Sequence, residues 1–295
     1  MKKNRRISWG QIALHVFFVC LCICYVYPLL LLISISFEGY SGAQFGLIPR
    51  EFTLRGYQQV FAQAERIIRG YGVTTFYSVV GTLGSLVVMA MFAYALSKKD
   101  YKLRNPITFL LFFTTLFSGG LVPSYIINSK YLHLNNTIWI YIFPILMNAW
   151  NVIVIRTFFQ GLPEGLNEAA RLDGASELRI CFQIVIPLAT PVLASVGFLT
   201  FIELWNNWYV SSVYIKNPDL YSLQYILKLI LDSEEALREM VNNGRLSAEE
   251  LQAHLSNLET LRFSMAIVAA GPAMLIFPFF QKYFAKGLTL GSVKG

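Results

Sequence analysis

Apolar residues in this chain gather into six long runs, near residues 12–36, 74–97, 106–125, 136–159, 184–212 and 261–281. Each approaches or exceeds the roughly 20 apolar residues that a helix needs to cross a bilayer. Lipid cannot satisfy open backbone groups, so all six runs are expected to be helices. Pro28, Pro123, Pro144, Pro191, Pro272 and Pro278 then mark kinks or span ends. The expectation is an all-α, polytopic membrane protein forming a single domain over residues 1–295.

The polar segments between the runs carry their own periodicities. In residues 37–73, Tyr57, Val60, Phe61, Ala64, Ile67 and Ile68 repeat at helical spacing, with Gly70 as a stop. This predicts an interfacial helix lying on the membrane. The segment at about 160–183 predicts a short helix, with Pro163 in its first turn, Glu164, Glu168 and alanines within it, and a turn at Gly174. The segment at about 213–260 is acidic. Ser247 and Glu250 form a capping box there, followed by Leu251, Leu255 and Leu258 on one stripe. Asn242-Asn243-Gly244 separates that helix from an earlier one with Ser233 as its cap.

Charge fixes the orientation. Lys2, Lys3, Arg5 and Arg6, then Lys98, Lys99, Lys102 and Arg104, then Arg156, Arg171 and Arg179, then Lys282, Lys286 and Lys294 fall on one side. These are 14 of the 24 basic residues, which makes that side cytoplasmic and both termini internal. The basic start could pass for a signal peptide. However, the apolar character continues past Pro28 to about Ile35 with no small-x-small site, which predicts an uncleaved first span.

Composition agrees: 55% of residues are hydrophobic and only 14% charged, too few to cover a soluble surface. The net charge of +7 lies beside the spans, where it meets anionic lipid rather than nucleic acid. Cys20, Cys22, Cys24 and Cys181 show no zinc-ligand spacing; Cys20 and Cys24 share a helix face suited to core packing, and disulfides are not expected. His15, His133 and His254 lie far apart, and no phosphate-binding loop, paired carboxylates or metal-ligand cluster is present in the sequence. No catalytic site is expected.

One stretch names a partner. Glu168-Ala169-Ala170-Arg171-Leu172-Asp173-Gly174 is followed, after nine residues, by Ile184-Val185-Ile186-Pro187. Glycine permits a turn that a Cβ would hinder, and the alanines leave a flat face open to close approach. By spacing alone this is either a docking helix or a connector. The pattern resembles the cytoplasmic coupling loop of binding-protein-dependent ABC importer permeases. The stretches FSGGLVPSYIINSKYLHLNNTIW, NVIVIRTFFQGLPEGLNEAARLDGAS and FPFFQKYFAKGLTLGSVKG extend the resemblance over nearly all six spans. They are similar to the carbohydrate-type, maltose-type permeases, in the branch for complex oligosaccharides and polysaccharide fragments. The coupling motif departs only at Ile186, where the family prefers leucine.

The resemblance implies a type I ABC importer permease fold in the bacterial cytoplasmic membrane. It implies a second homologous permease subunit, two ATP-binding cassette subunits and an extracytoplasmic solute-binding protein. ATP and Mg would be bound by the partner ATPase, not by this chain. It assigns ATPase coupling to Glu168, Ala169, Ala170, Asp173, Gly174 and Pro187, and brings the tail from Lys286 to Gly295 towards the ATPase.

A second set of residues bears on the substrate. Glu203 and Asn207 share a face at i and i+4 in the fifth run, with Trp205, Asn206 and Trp208 beside them. A charge inside a span costs roughly 2.5–3.5 kcal/mol, so Glu203 is expected to face protein or water. Amides bond sugar hydroxyls and rings stack on pyranose faces; equally, the tryptophans fit an aromatic belt and the asparagines fit helix–helix contacts. Asn148 and Asn151 in the fourth run, with Trp150, fit either substrate contact or a subunit interface. Besides an importer subunit, six spans also fit a secondary carrier or half-carrier, or a membrane enzyme. A carrier needs no docking helix between spans four and five, and an enzyme needs the clustered groups that are missing from this sequence.

Overall fold

A computed structural model describes residues 9–38, 46–62, 64–243, 260–278 and 280–281. Among these residues the chain is helical, with one isolated antiparallel bridge between Glu38 and Phe52. The basic start, the capping box at Ser247, the leucine stripe and the tail lie outside the described residues. The helices are α1 (Trp9–Ser36), α2 (Arg55–Ala62), α3 (Ala64–Ser97), α4 (Arg104–Leu116), α5 (Leu121–Ile126), α6 (Ala149–Gln160), α7 (Glu164–Leu172), α8 (Glu177–Ile180), α9 (Ile186–Leu188), α10 (Thr190–Trp205), α11 (Tyr209–Tyr214), α12 (Leu223–Asn242) and α13 (Thr260–Pro278).

Three of them, α1, α3 and α13, are single helices long and apolar enough to cross a membrane. Three further pairs of helices are long and apolar enough only when taken together, each bent at a short break. Arg104–Leu116 and Leu121–Tyr131 meet at 114°, Ile138–Ile145 and Ala149–Gln160 at 46°, and Glu177–Leu188 and Thr190–Trp205 at 82°. Kinks or span ends were expected at Pro123, Pro144 and Pro191, and each break has a local cause. At the first, Gly120 has φ 82° and ψ −174°, a region that is essentially glycine-only. Ser118 Oγ accepts the Gly120 N–H at 3.2 Å, and Ser124 Oγ donates to the Gly120 carbonyl at 2.8 Å. At the second, the Asn148 side chain accepts from the Asn151 N–H at 3.1 Å and caps α6. At the third, Pro187 and Pro191 each sit in the first turn of a new helix, where their missing N–H costs nothing. Pro28 and Pro272, by contrast, lie inside continuous helices.

The described residues group into two compact units, residues 1–64 with 227–270, and residues 65–226 with 271–295. In the first, α1 exposes its apolar side chains along nearly its whole length. Cys20 and Cys24, expected to pack in a core, are exposed on it. Its end is tied down: Ser36 Oγ bonds Tyr57 OH at 2.9 Å, Ser264 Oγ donates to the Ser36 carbonyl at 3.2 Å, and Phe37 stacks on Phe52 at 5.3 Å. Gly56 lets α2 approach α13 closely. A Cβ there would lie 2.6 Å from the Thr260 carbonyl and would collide with Ser264 Oγ.

In the second unit, the interfacial helix expected at 57–68 does not stop at Gly70. Helix α3 runs from Ala64 through Gly70 to Ser97. A Cβ at Gly70 would lie 2.7 Å from Ile226 Cδ1, so this glycine serves close packing rather than termination. One end of the unit is closed by a hydroxyl network. Tyr141 OH bonds Ser211 Oγ at 2.6 Å, Ser211 Oγ bonds Ser222 Oγ at 2.9 Å, and Thr74 Oγ1 accepts the Leu223 N–H at 2.9 Å. Ser222 Oγ also accepts from Tyr225 N at 3.2 Å. It therefore caps α12, whereas Ser233 lies inside that helix and bonds back to the Leu229 carbonyl at 2.8 Å.

Candidate functional site

The polar segment between the fourth and fifth spans folds as a helix, a tight turn and a second helix. Pro163 precedes the first turn of α7 instead of lying in it. Glu164 in the first turn and Arg171 in the last complement the helix dipole. At the C-terminal end, the Gly174 N–H bonds the Arg171 carbonyl and the Ala175 N–H bonds the Ala170 carbonyl, both at 3.0 Å. This 5→2 and 6→1 pair needs a left-handed residue between its donors, and Gly174 supplies φ 77°. No atom lies within 4 Å of where a Cβ would stand, so conformation alone demands glycine. Ser176 then caps α8 by accepting from the Arg179 N–H at 3.4 Å.

Glu168 and Ala169 are exposed, and so is Asp173, which caps the end of α7. Ala170 is not part of a flat outer face. It is 8% exposed and packs in the chain's own core with Ile180 and Val185. The outward surface instead offers Ala169 and Leu172, and Leu172 is 89% exposed. Pro187 stands in α9, just before the 82° bend into α10.

The inner face of α7 looks onto the turn between α3 and α4. Glu164, Asn167, Glu168 and Arg171, at i, i+3, i+4 and i+7, line a cavity of about 340 Å³ together with residues 97–100 and Arg104. The basic turn at 98–104 and the 160–183 segment thus meet across this cavity.

Glu177 joins them. Its Oε2 accepts from Tyr94 OH at 2.6 Å and its Oε1 accepts from Arg171 Nε at 2.8 Å. The Lys98 ammonium lies 3.6 Å from Oε2 and 4.3 Å from the centre of the Tyr94 ring. Burial pushes the Lys98 ammonium below its ordinary pKa even with this carboxylate beside it. Lys99 bonds Glu164 at 2.9 Å, which raises the lysine and lowers the carboxylate. No spacing in the sequence pairs Glu177 with Tyr94, because they lie 83 positions apart. The local cue was an acidic residue directly after a helix cap.

The substrate candidates are not brought together as expected. Helix α10 ends at Trp205, so Glu203 and Asn207 do not share a helical face. Asn207 lies in the break before α11, and its Oδ1 accepts from the Val210 N–H at 3.0 Å. Asn206 Nδ2 donates to the Ile202 carbonyl at 3.0 Å. Trp205 is 2% exposed, stacked on Phe201 and tilted against Tyr71, so its ring is buried in the core instead of offered to a ligand. Asn148 and Asn151 are half-buried and bonded to each other at the start of α6. Glu203 and Asn206 remain exposed.

Residues 15–290 match the family described as binding-protein-dependent transport system inner membrane component. The polygalacturonan/rhamnogalacturonan transport system permease protein YtcP of Bacillus subtilis (strain 168) is 35% identical over 253 residues, covering 85% of each chain. The arabinooligosaccharides transport system permease protein AraQ of Halalkalibacterium halodurans is 30% identical over 250 residues, 84% of this chain and 81% of that one. Among solved structures, a bacterial ABC transporter involved in the import of the acidic polysaccharide alginate has a chain with TM-score 0.78 and 28% identity. That match covers 95% of this chain and all of the other.

Proposed function

We propose a function from one established premise: the chain belongs to the binding-protein-dependent transport system inner membrane components. It is a membrane permease subunit of an ABC importer for oligosaccharides. It is not itself a catalyst. The finer assignments are ours. It pairs with a second permease, two ATP-binding cassette subunits and a solute-binding protein outside the cytoplasmic membrane, and both of its termini are cytoplasmic.

The observation that carries this reading is α7, an amphipathic helix set against the turn between α3 and α4 with an exposed leucine at its end. With Ala169 beside it, Leu172 gives α7 a small exposed apolar surface that a partner can cover. When the ATPase subunits close, α7 moves as a body with its glycine turn. Glu177 passes that motion to α3 through Tyr94 and Lys98. The turn through α8 and α9 passes it to α10 at Pro187. Helix α10 carries Glu203 and precedes Asn206, and their exposed polar groups face the sugar path or the second permease.

A tagged chain purified from gently solubilised native membranes is expected to bring down a second permease and an ATP-hydrolysing subunit. An active chain that purifies alone would support a secondary carrier instead.

A further inference from the structure

Two guanidinium groups stand together where three spans end. Arg104 opens α4, and Arg156 lies one turn before the end of α6, next to the last turn of α3. With its amide oriented towards donors, Gln160 Oε1 accepts from Arg104 Nη2 at 2.9 Å and from Arg156 Nε at 3.3 Å. Arg156 Nε also reaches the Leu96 carbonyl at 3.0 Å. Among the described residues, no carboxylate lies within ion-pair distance of either arginine. Two like charges sharing one neutral oxygen repel, and half-burial strengthens the repulsion. Arg104 Nε is buried and has no hydrogen-bond partner.

The carboxylates nearby are otherwise placed. Glu164 is taken by Lys99, Asp100 lies 4.0 Å from Arg171, and Glu168 lines the cavity without touching either guanidinium. The cavity of about 340 Å³ opens beside Arg104 and Gln160, with Lys99 also on its wall. Helix α4 starts here without a side-chain cap, so its positive end adds to the same field. Guanidinium forks match the tetrahedral oxygens of phosphate in bidentate fashion.

We propose that Arg104, with the Arg156 charge behind it across Gln160, binds a phosphate-class oxyanion in this cavity, supplied by an anionic lipid head group or by free phosphate. The oxyanion is the counter-charge missing at the inner ends of the second, third and fourth spans. The assignment does not depend on what the protein transports.

Gln160→Glu tests it with little risk to folding, since the new carboxylate stands between the two arginines and replaces the anion internally. The double variant Arg104→Gln/Arg156→Gln removes the donors, and Arg104→Lys/Arg156→Lys keeps the charge. The assembled transporter is placed in nanodiscs of phosphatidylcholine with phosphatidylglycerol, and bound lipid is counted by native mass spectrometry. Separately, its thermal unfolding is followed in lipid-poor detergent with inorganic phosphate added.

Wild type and the lysine variant are expected to retain phosphatidylglycerol, and Gln160→Glu and the glutamine variant about tenfold less, the factor that 1.4 kcal/mol confers. Protection by inorganic phosphate in wild type alone, without selective lipid retention, would assign the site to the free anion. Equal lipid retention and equal phosphate response in wild type and Gln160→Glu would overturn the proposal.

Discussion

Replacing Gly174 with valine is expected to cut oligosaccharide uptake by about tenfold or more while leaving the chain inserted at near wild-type amounts. Left-handed backbone costs an ordinary residue roughly 1–2 kcal/mol, and a β-branched residue more. Nothing occupies the space around Gly174, so the variant meets no clash and has one cheap escape, which is to abandon φ 77°. That escape breaks the two bonds closing α7 onto Arg171 and Ala170, and turns Leu172 away from its partner. An equilibrium shift of about 1.4 kcal/mol changes the ratio of the two conformations tenfold, which sets the scale. Uptake in cells and immunoblotting of membranes check both halves. Gly174→Asn, which tolerates left-handed backbone, is expected to keep most of the uptake.

Glu177→Gln is expected to lower uptake by roughly 5–30-fold, the range conferred by one to two kcal/mol. Its carboxylate receives two charge-assisted bonds, worth about 1.5–3 kcal/mol each when shielded. The side chain is 52% exposed, so solvent screening reduces the total to about 1–2 kcal/mol. What remains is a Lys98 ammonium with only 17% of its side chain exposed and no carboxylate beside it. If Glu177 merely stabilised the fold, uptake and ATP hydrolysis would fall together. As a link between α7 and α3, its loss should leave ATP hydrolysis running while uptake falls, so more ATP is spent per sugar. The double variant Lys98→Gln/Glu177→Gln, which removes the stranded charge, is expected to recover part of the uptake. A constant ratio of ATP hydrolysed to sugar moved would rule out the linking role.

The sequence made the six apolar runs and the coupling turn legible because both are local. A run of apolar residues records contact with lipid, and Gly174 records a backbone angle. The bends were not legible from periodicity. Pro123 marked a kink or span end near here, but the 114° angle between α4 and α5 turns on the conformation of Gly120. Gly70 shows the opposite error, where a glycine that permits close packing against Ile226 looks like a helix stop. Trp205 and Glu177 were misjudged or missed for one shared reason. Their surroundings come from α3, through Tyr71 and Tyr94, at sequence distances where no spacing rule operates. Asn148 and Asn207 looked like substrate groups because amides do suit sugars. In the folded chain, both amides bond the backbone at helix starts.

In this mechanism α7 carries the contact with the ATPase. It is tested most directly by a cysteine at Leu172, the most exposed apolar position of that helix, in a chain with Cys20, Cys22, Cys24 and Cys181 replaced. A short bifunctional thiol reagent is applied to the assembled transporter with and without ATP, with Tyr131→Cys as a control at an exposed site outside α7. The account predicts a cross-link from position 172 to the ATP-binding subunit, with a yield that changes when ATP is added, and none from position 131. A transporter that moves sugar normally yet gives no such cross-link from position 172 would contradict it.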